Sequence, residues 1–275
     1  LIATTTGYQI RSFSEAAAAL GDTLVVASDR CDHLDDPWRD QAIPVRFHDE
    51  AGSTSAVVDS LNGHPPEGVI AVGDRPAVLA AHLARAFGLY GNPPDAAART
   101  RTKLATRHAF KAAGLPVPRF EPVAISADER VLAPRVPYPA VVKPLALAGS
   151  RGVIRVDTPD QFVAAFARLR RLLQSTDVRI ERDEAHEMAM IESFIPGAEF
   201  AVEGLLDKGR FRVLAMFDKP DPLDGPFFEE TIYITPSRAP QDVQRRIGDS
   251  VAAASAALGL SHGPVHAECR VDGRA

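Results

Sequence analysis

The sequence predicts an α/β protein: a parallel sheet in its N-terminal part, then a C-terminal part of α+β texture. Three observations carry this. Two early runs, TLVVASD (23–29) and GVIAVGD (68–74), are apolar throughout, end on polar residues, and are followed by helical stretches or alternate with them. Strands that are apolar on both faces and linked through helices form parallel sheets covered on both sides. Beyond the Pro-rich exit LPVPRF (115–120), short strands and turns take over. Finally, residues 199–220 read as two strands joined by Asp207-Lys208-Gly209, a hairpin turn and so an antiparallel pair.

The elements follow in order. LIATTT (1–6) is a short β-like run. A helix over 13–20 stops at Gly21, and a second over 76–87 stops at Gly88. Asp29 and Asp74 stand at strand ends, where ligands bind in such sheets, but the same residues also serve to cap the next helix. GNPPDAA (91–97) punctuates the chain like a linker, and a helix over 98–113 ends at Gly114. Thr158, Pro159 and Gln161 have the types preferred at N-cap, N1 and N3, so a helix starts there and runs to about Leu173. The charged, irregular segment 174–186 is expected to be a mobile surface loop. In the first hairpin strand Glu199, Ala201 and Glu203 share a face. A helix over 241–258 leads to the strand PVHAECRV (264–271), where His266, Glu268 and Arg270 share a face.

Composition excludes several classes. The chain has 275 residues, 45% hydrophobic and 24% charged, as in ordinary globular proteins, with room for two domains. A net charge of −5 and a pI near 5.9 give no reason to expect a nucleic-acid or acidic-membrane partner. No apolar run approaches the ~18 residues of a membrane span. Cys31 and Cys269 are far apart and form no C-x-x-C, which argues against a disulfide framework or zinc site and fits a reducing cytoplasm. No signal-peptide pattern is visible. Leu1 is not Met and the sequence stops on a turn-like VDGRA, which leaves both ends open to continuation.

Four stretches carry candidate chemistry. In AVVKPLALAGSRGVIRV (140–156) an apolar strand ends on Lys143, and a loop of small residues including Gly149, Ser150 and Gly152 follows. A compact cation beside a loop whose backbone N–H groups are unscreened suits a triphosphate, with the loop as a closing flap. A surface hairpin with a solvated lysine has the same pattern. In MAMIESFIPGAEFAVEG (188–204), Glu192, Phe194 and Ile195 offer a carboxylate, an apolar slot and a backbone edge for an adenine, and Glu199 can accept from ribose hydroxyls. A sheet edge with solvated glutamates reads alike. Lys103, Arg107 and Lys111 form an i, i+4, i+8 stripe, which is more commonly a solvated basic face. Glu268 on a late strand suits Mg²⁺, which takes one or two carboxylates and keeps its waters; an exposed sheet edge is the alternative.

Taken in order, these stretches resemble an ATP-grasp enzyme: Lys103 before AGLPVP, then VVKP and its loop, IESFIPGAEFAVEG, FFEET, and PVHAE. The resemblance runs from about Tyr8 to the end. GYQIRSFSEAAAALG, GNPPDAAARTRTK and GPFFEETIYITPS resemble in particular the L-amino acid ligases, which make dipeptides. It implies a Rossmann-like pre-ATP-grasp domain at 1–95, a helical linker at 96–118, a lid subdomain at 119–194 and a C-terminal subdomain at 195–275. It implies an ADP-forming carboxylate–amine ligase acting through an acyl phosphate, with small-molecule carboxylate and amine substrates, ATP with Mg²⁺ (or Mn²⁺), and often a homodimer. Lys103 and Lys143 would hold phosphates and the 149–152 loop would cover them. Glu192, Phe194 and Ile195 would line the adenine slot, Glu199 would meet the ribose, and Glu268 would hold Mg²⁺. Lys219 would face the γ-phosphate and Glu230 the α-amino group of a substrate.

Two departures stand out. The family's pattern continues with a second Mg²⁺ glutamate, an asparagine and an arginine on a further strand, and this sequence ends before it. The dipeptide ligases tend to have a histidine three residues after the glutamate matching Glu230, where this chain has Tyr233. A phenol cannot take up a proton at neutral pH as imidazole can. The rival readings are carboxylation through carboxyphosphate, for which no bicarbonate or biotin feature is seen, and a non-catalytic ATP-binding regulator.

Overall fold

A computed structural model describes residues 1–4, 10–29 and 42–272. They form two compact units, Leu1–Arg101 and Thr102–Ala275.

The first unit runs β1 (Ile2–Ala3), α1 (Ile10–Leu20), β2 (Ala27–Ser28), β3 (Ile43–Pro44), α2 (Glu50–Ser60), β4 (Ala71–Val72), α3 (Asp74–Ala86) and α4 (Pro94–Arg101). Its four strands lie in the order β3-β2-β1-β4, all parallel, as the apolar runs predict. Only two residues of each run form the strand itself, Ala27–Ser28 and Ala71–Val72, with the Val26 and Ile70 carbonyls accepting from the neighbouring strands. Ile2, Ala27, Val45 and Phe47 from the sheet side pack with Val57 of α2 and with Leu79 and Leu83 of α3. The strand at Ile43–Pro44 and helix α2 were not anticipated. Asp74 is the first residue of α3, and Asp29 faces Arg75 at 3.7 Å. Tyr8 and Cys31 lie outside the described residues.

The second unit continues with α5 (Lys103–Ala112), β5 (Phe120–Ala124), α6 (Glu129–Leu132), β6 (Ala140–Pro144), β7 (Ile154–Val156), α7 (Pro159–Leu173), α8 (Thr176–Arg179), β8 (Met188–Ser193), β9 (Ala198–Asp207), β10 (Arg210–Lys219), α9 (Gln241–Leu258) and β11 (Gly263–Val271). The single helix expected over 98–113 is two. Thr102 takes an extended backbone and its side chain accepts from the Ala105 N–H, so it ends one helix and caps the next.

Two antiparallel sheets result, β5-β8-β6-β7 and β10-β9-β11. Helix α7 begins as its signals predict, with the Thr158 hydroxyl accepting from the Gln161 N–H. Its Phe162, Phe166, Leu169 and Leu173 are buried against the first sheet. Each such side chain contributes about 1.5–3 kcal/mol by burial. The hairpin turns on Lys208 and Gly209, both at positive φ, the backbone that matches strand twist.

The expected mobile loop at 174–186 is largely structured. Val178 on α8 and His186 in a 3₁₀ turn (Glu184–Glu187) are buried. The charged residues hide these inward-facing apolar contacts from a reading by composition.

Candidate active site

Lys143 is the penultimate residue of β6, on the strand that leads into the flap, and its side chain is 11% exposed. Its ammonium meets Glu192 on neighbouring β8, which is 4% exposed and also receives Arg107 Nε at 2.6 Å. Burial pushes the Lys143 ammonium below the usual lysine range, against the pull of Glu192. Burial would raise Glu192, but Lys143 and Arg107 outweigh it and hold the carboxyl below its ordinary value. Both carboxylate oxygens are thus engaged. This side chain is the counter-ion of two cations, Lys143 and Arg107.

In the basic stripe on α5, Lys103 and Arg107 are partly buried and engaged, while Lys111 is exposed. Lys103 Nζ donates to the Leu147 carbonyl at 2.8 Å, Arg107 reaches Glu192, and Lys111 lies over Phe120. The Lys103 N–H also donates to the Leu145 carbonyl at 2.9 Å. Lys103 therefore braces the root of the flap, whose Leu147, Gly149, Ser150 and Gly152 all have positive φ. At Gly152 (φ +79) a Cβ would stand 2.8 Å from Leu172 and 3.1 Å from Leu169. Gly152→Ala is expected to lower stability by roughly 1–3 kcal/mol through left-handed strain and this crowding, seen as a shift of the urea midpoint.

The second sheet assembles a separate cluster. Lys219, at the end of β10 and with a side chain 3% exposed, donates to Glu199 at 2.8 Å, to Glu230 at 3.0 Å and to Glu268. These partners hold its ammonium above the usual lysine range despite burial. One oxygen from each of Glu199, Glu230 and Glu268 lies within 4.8 Å of the others. Arg270 on β11 donates to Glu199 at 2.9 Å and to the Ile195 carbonyl at 3.0 Å. The Tyr233 hydroxyl bonds Glu230, and burial with that bond pushes the phenol up to about 12.

Phe194 links the clusters. Arg155 lies 4.1 Å and Arg270 5.4 Å from its ring centre, and Val141, Leu223 and Phe228 pack beside it. The Ser193 N–H is spent on the Arg119 carbonyl and the Phe194 N–H on the Pro139 carbonyl. Among the described residues the Ile195 N–H meets no acceptor. All twelve residues singled out by sequence lie in the second unit. The reading missed Arg107 and Arg270 as partners, although the α5 stripe and the strand alternation marked both.

His266 faces Glu203 at 2.7 Å and Glu268 at 3.9 Å, as alternation on the strand predicts. The ion pair with Glu268, together with the hydrogen bond to Glu203, raises the imidazole to about 9 from 6.5; the same ion pair helps take Glu268 to about 2. A raised pKa adds stability in full below about 6.5 that is lost as pH rises through about 9. Because His266 is half exposed, screening leaves roughly 1 kcal/mol. Metal-free protein should therefore lose Tm between pH 6.5 and 9, and His266→Gln should flatten that slope.

Comparison with known proteins finds a family and relatives for this chain. Residues 136–275 match the family model described as an ATP-grasp domain. Alanine–anticapsin ligase of Bacillus amyloliquefaciens is 27% identical over 207 residues, covering 70% of this chain and 42% of that protein. D-alanine–D-alanine ligase of Aromatoleum aromaticum is 29% identical over 171 residues, covering 62% of this chain and 51% of that protein. The crystal structure of an L-amino acid ligase from Bacillus licheniformis superposes with a TM-score of 0.77 at 27% identity, over 98% of this chain and 63% of that one. The chain thus spans about half the length of the curated relatives it matches.

Proposed function

We propose, from the premise that the chain belongs to the ATP-grasp family, that its activity is ADP-forming ligation of a carboxylate to an amine, of the L-amino acid ligase type. One observation carries the reading. A buried lysine at the end of β10 gathers three carboxylates from β9, β11 and the 220–240 segment, within the unit that holds the flap and its own buried lysine.

The chemistry has two steps. A substrate carboxylate attacks the γ-phosphorus of ATP, the bond to the β-bridging oxygen breaks, and ADP leaves an acyl phosphate. An amine then attacks the acyl carbon, the C–O bond breaks, phosphate leaves, and the amine gives up a proton. Lys103 and Lys143 suit the phosphate charge, and the small side chains of the flap leave its backbone N–H groups open to the same oxygens. The unpaired Ile195 N–H, next to Phe194, suits an adenine ring nitrogen. Glu199 is oriented by Arg270 toward hydroxyl donors, and Glu230 suits a substrate ammonium. Closure of the flap would keep water from the acyl phosphate.

A divalent ion fits the donor set. Glu268, with Glu199 and Glu230 close by, offers the hard oxygens that Mg²⁺ or Mn²⁺ prefers. Such an ion would neutralise charge on the phosphate oxygens. Lys219 supplies positive charge among the same carboxylates and suits the transferring phosphoryl group. Because Tyr233 stays a protonated phenol, the proton of the incoming amine needs another acceptor, and Glu230 beside it is the group within reach. A homodimer is the assembly we propose.

The test is phosphate release by the protein with Mg-ATP against single and paired amino acids. Release that needs a particular pair, with a product of dipeptide mass, is expected. Release that depends on bicarbonate, or none with any pair, would overturn the reading.

A further inference from the structure

A cleft of about 1230 Å³ opens beside the flap, bounded by flap residues, by α7 and by the segment carrying Glu230. It is somewhat larger than the ~300–1,000 Å³ of typical small-ligand pockets. Its lining includes three arginines, Arg151, Arg168 and Arg171, together with Phe227, Glu229 and Glu230. Arg151 is neutralised by Asp177. Arg168 and Arg171 are three apart on α7, hence on one face of the helix, and both are exposed. Among the described residues neither meets a carboxylate. The neighbouring Arg170, by contrast, is paired with Glu129 at 2.6 Å. The Arg168 guanidinium rests 5.0 Å from the Phe227 ring centre, which orients it without neutralising it. Phe227 is held by its bridge to Ile154 on β7.

We propose that Arg168 and Arg171 form a specificity site for a distal carboxylate on the amine substrate. The inference rests on the ligase reading in one respect, that Glu230 holds the substrate amine. An amine anchored at Glu230 and a second anionic group at the α7 arginines would span the cleft with opposite charges at its two ends. The ligand class is therefore an acidic amino acid or a short peptide ending in one. Guanidinium is suited to the role, being always charged and able to grip a carboxylate with two parallel hydrogen bonds. Neutral side chains of equal size would leave both arginines without a partner, which is the source of discrimination.

The test uses the full chain with Mg²⁺ and AMP-PNP, titrated calorimetrically with L-glutamate and its neutral near-isostere L-glutamine. Glutamate is expected to bind at least tenfold more tightly. In Arg168→Gln/Arg171→Gln that preference should fall to parity while AMP-PNP affinity and Tm stay unchanged. Parity in the unaltered protein, no binding of either probe, or an unchanged preference in the double variant would overturn the proposal. Loss of AMP-PNP affinity in that variant would do so too, by making the arginines phosphate ligands. Phosphate release separates the two readings. Glutamate preference in binding without any ligation would leave the arginine site standing and remove the ligase. Ligation with no preference for acidic amines would do the reverse.

Discussion

A Lys219→Met variant is expected to lose at least ~10³-fold in ligation and, without metal, about 3–5 kcal/mol of stability. The side chain is 3% exposed and its ammonium touches Glu199, Glu230 and Glu268. Removing it leaves three carboxylate oxygens within 4.8 Å of one another, with Arg270 still bound to Glu199 alone. Uncompensated like charges at that spacing raise the carboxyl pKa values and open the cluster. The same variant carries an opposite expectation for divalent ions. With the lysine gone, Arg270 and His266 neutralise the cluster only in part, so Mn²⁺ or Mg²⁺ should raise Tm more in the variant than in the unaltered protein. Thermal unfolding with and without Mn²⁺ checks this. A variant as stable as the parent, with no added response to metal, would remove the cluster from the site.

The second large effect is expected at Lys143. Lys143→Ala should abolish turnover, by at least ~10³-fold, because a buried cation facing the flap cannot be replaced by solvent. Stability should fall less than at Lys219, by roughly 2–3 kcal/mol, because Arg107 still holds Glu192 at 2.6 Å. Adding Glu192→Gln should recover part of that stability and none of the activity, since it removes the uncompensated charge without restoring the cation. ATP binding by calorimetry, read beside phosphate release, separates lost affinity from lost catalysis. Near-normal turnover in Lys143→Ala would sink the phosphate assignment.

How much of the site was legible depends on the kind of signal. Lys143 could be found because a lysine ending an apolar strand before a small-residue loop is a local oddity. Glu199 and Glu203, and likewise His266, Glu268 and Arg270, could be placed on common faces because strand alternation is a property of the backbone. Neither argument reveals which faces meet. Glu192 and Lys143 lie 49 positions apart in sequence and touch because β6 and β8 pair antiparallel, with Val141 opposite Glu192. Lys219, Glu199 and Glu268 converge because β9 is the central strand of its sheet, pairing Lys219 with Glu199 on one side and Ala201 with Glu268 on the other. The segment 174–186 misled for the opposite reason, since its buried Val178 and His186 are too few to outweigh its charges in a reading by composition.

Most elements, and the residues with unusual chemistry, were legible in the chain because the signals that mark them are short-range. The period of apolar residues, the cap at Thr158 and the Lys208-Gly209 turn act over a few positions, where backbone sterics and local hydrogen bonds decide. Only the tertiary structure decided the partners. It turned Glu192 into a counter-ion, gathered three carboxylates on Lys219, and left Arg168 and Arg171 facing a cleft without carboxylates of their own. Those outcomes depend on strand order and register, which are set by burial of whole faces and not by any residue's neighbours in the chain.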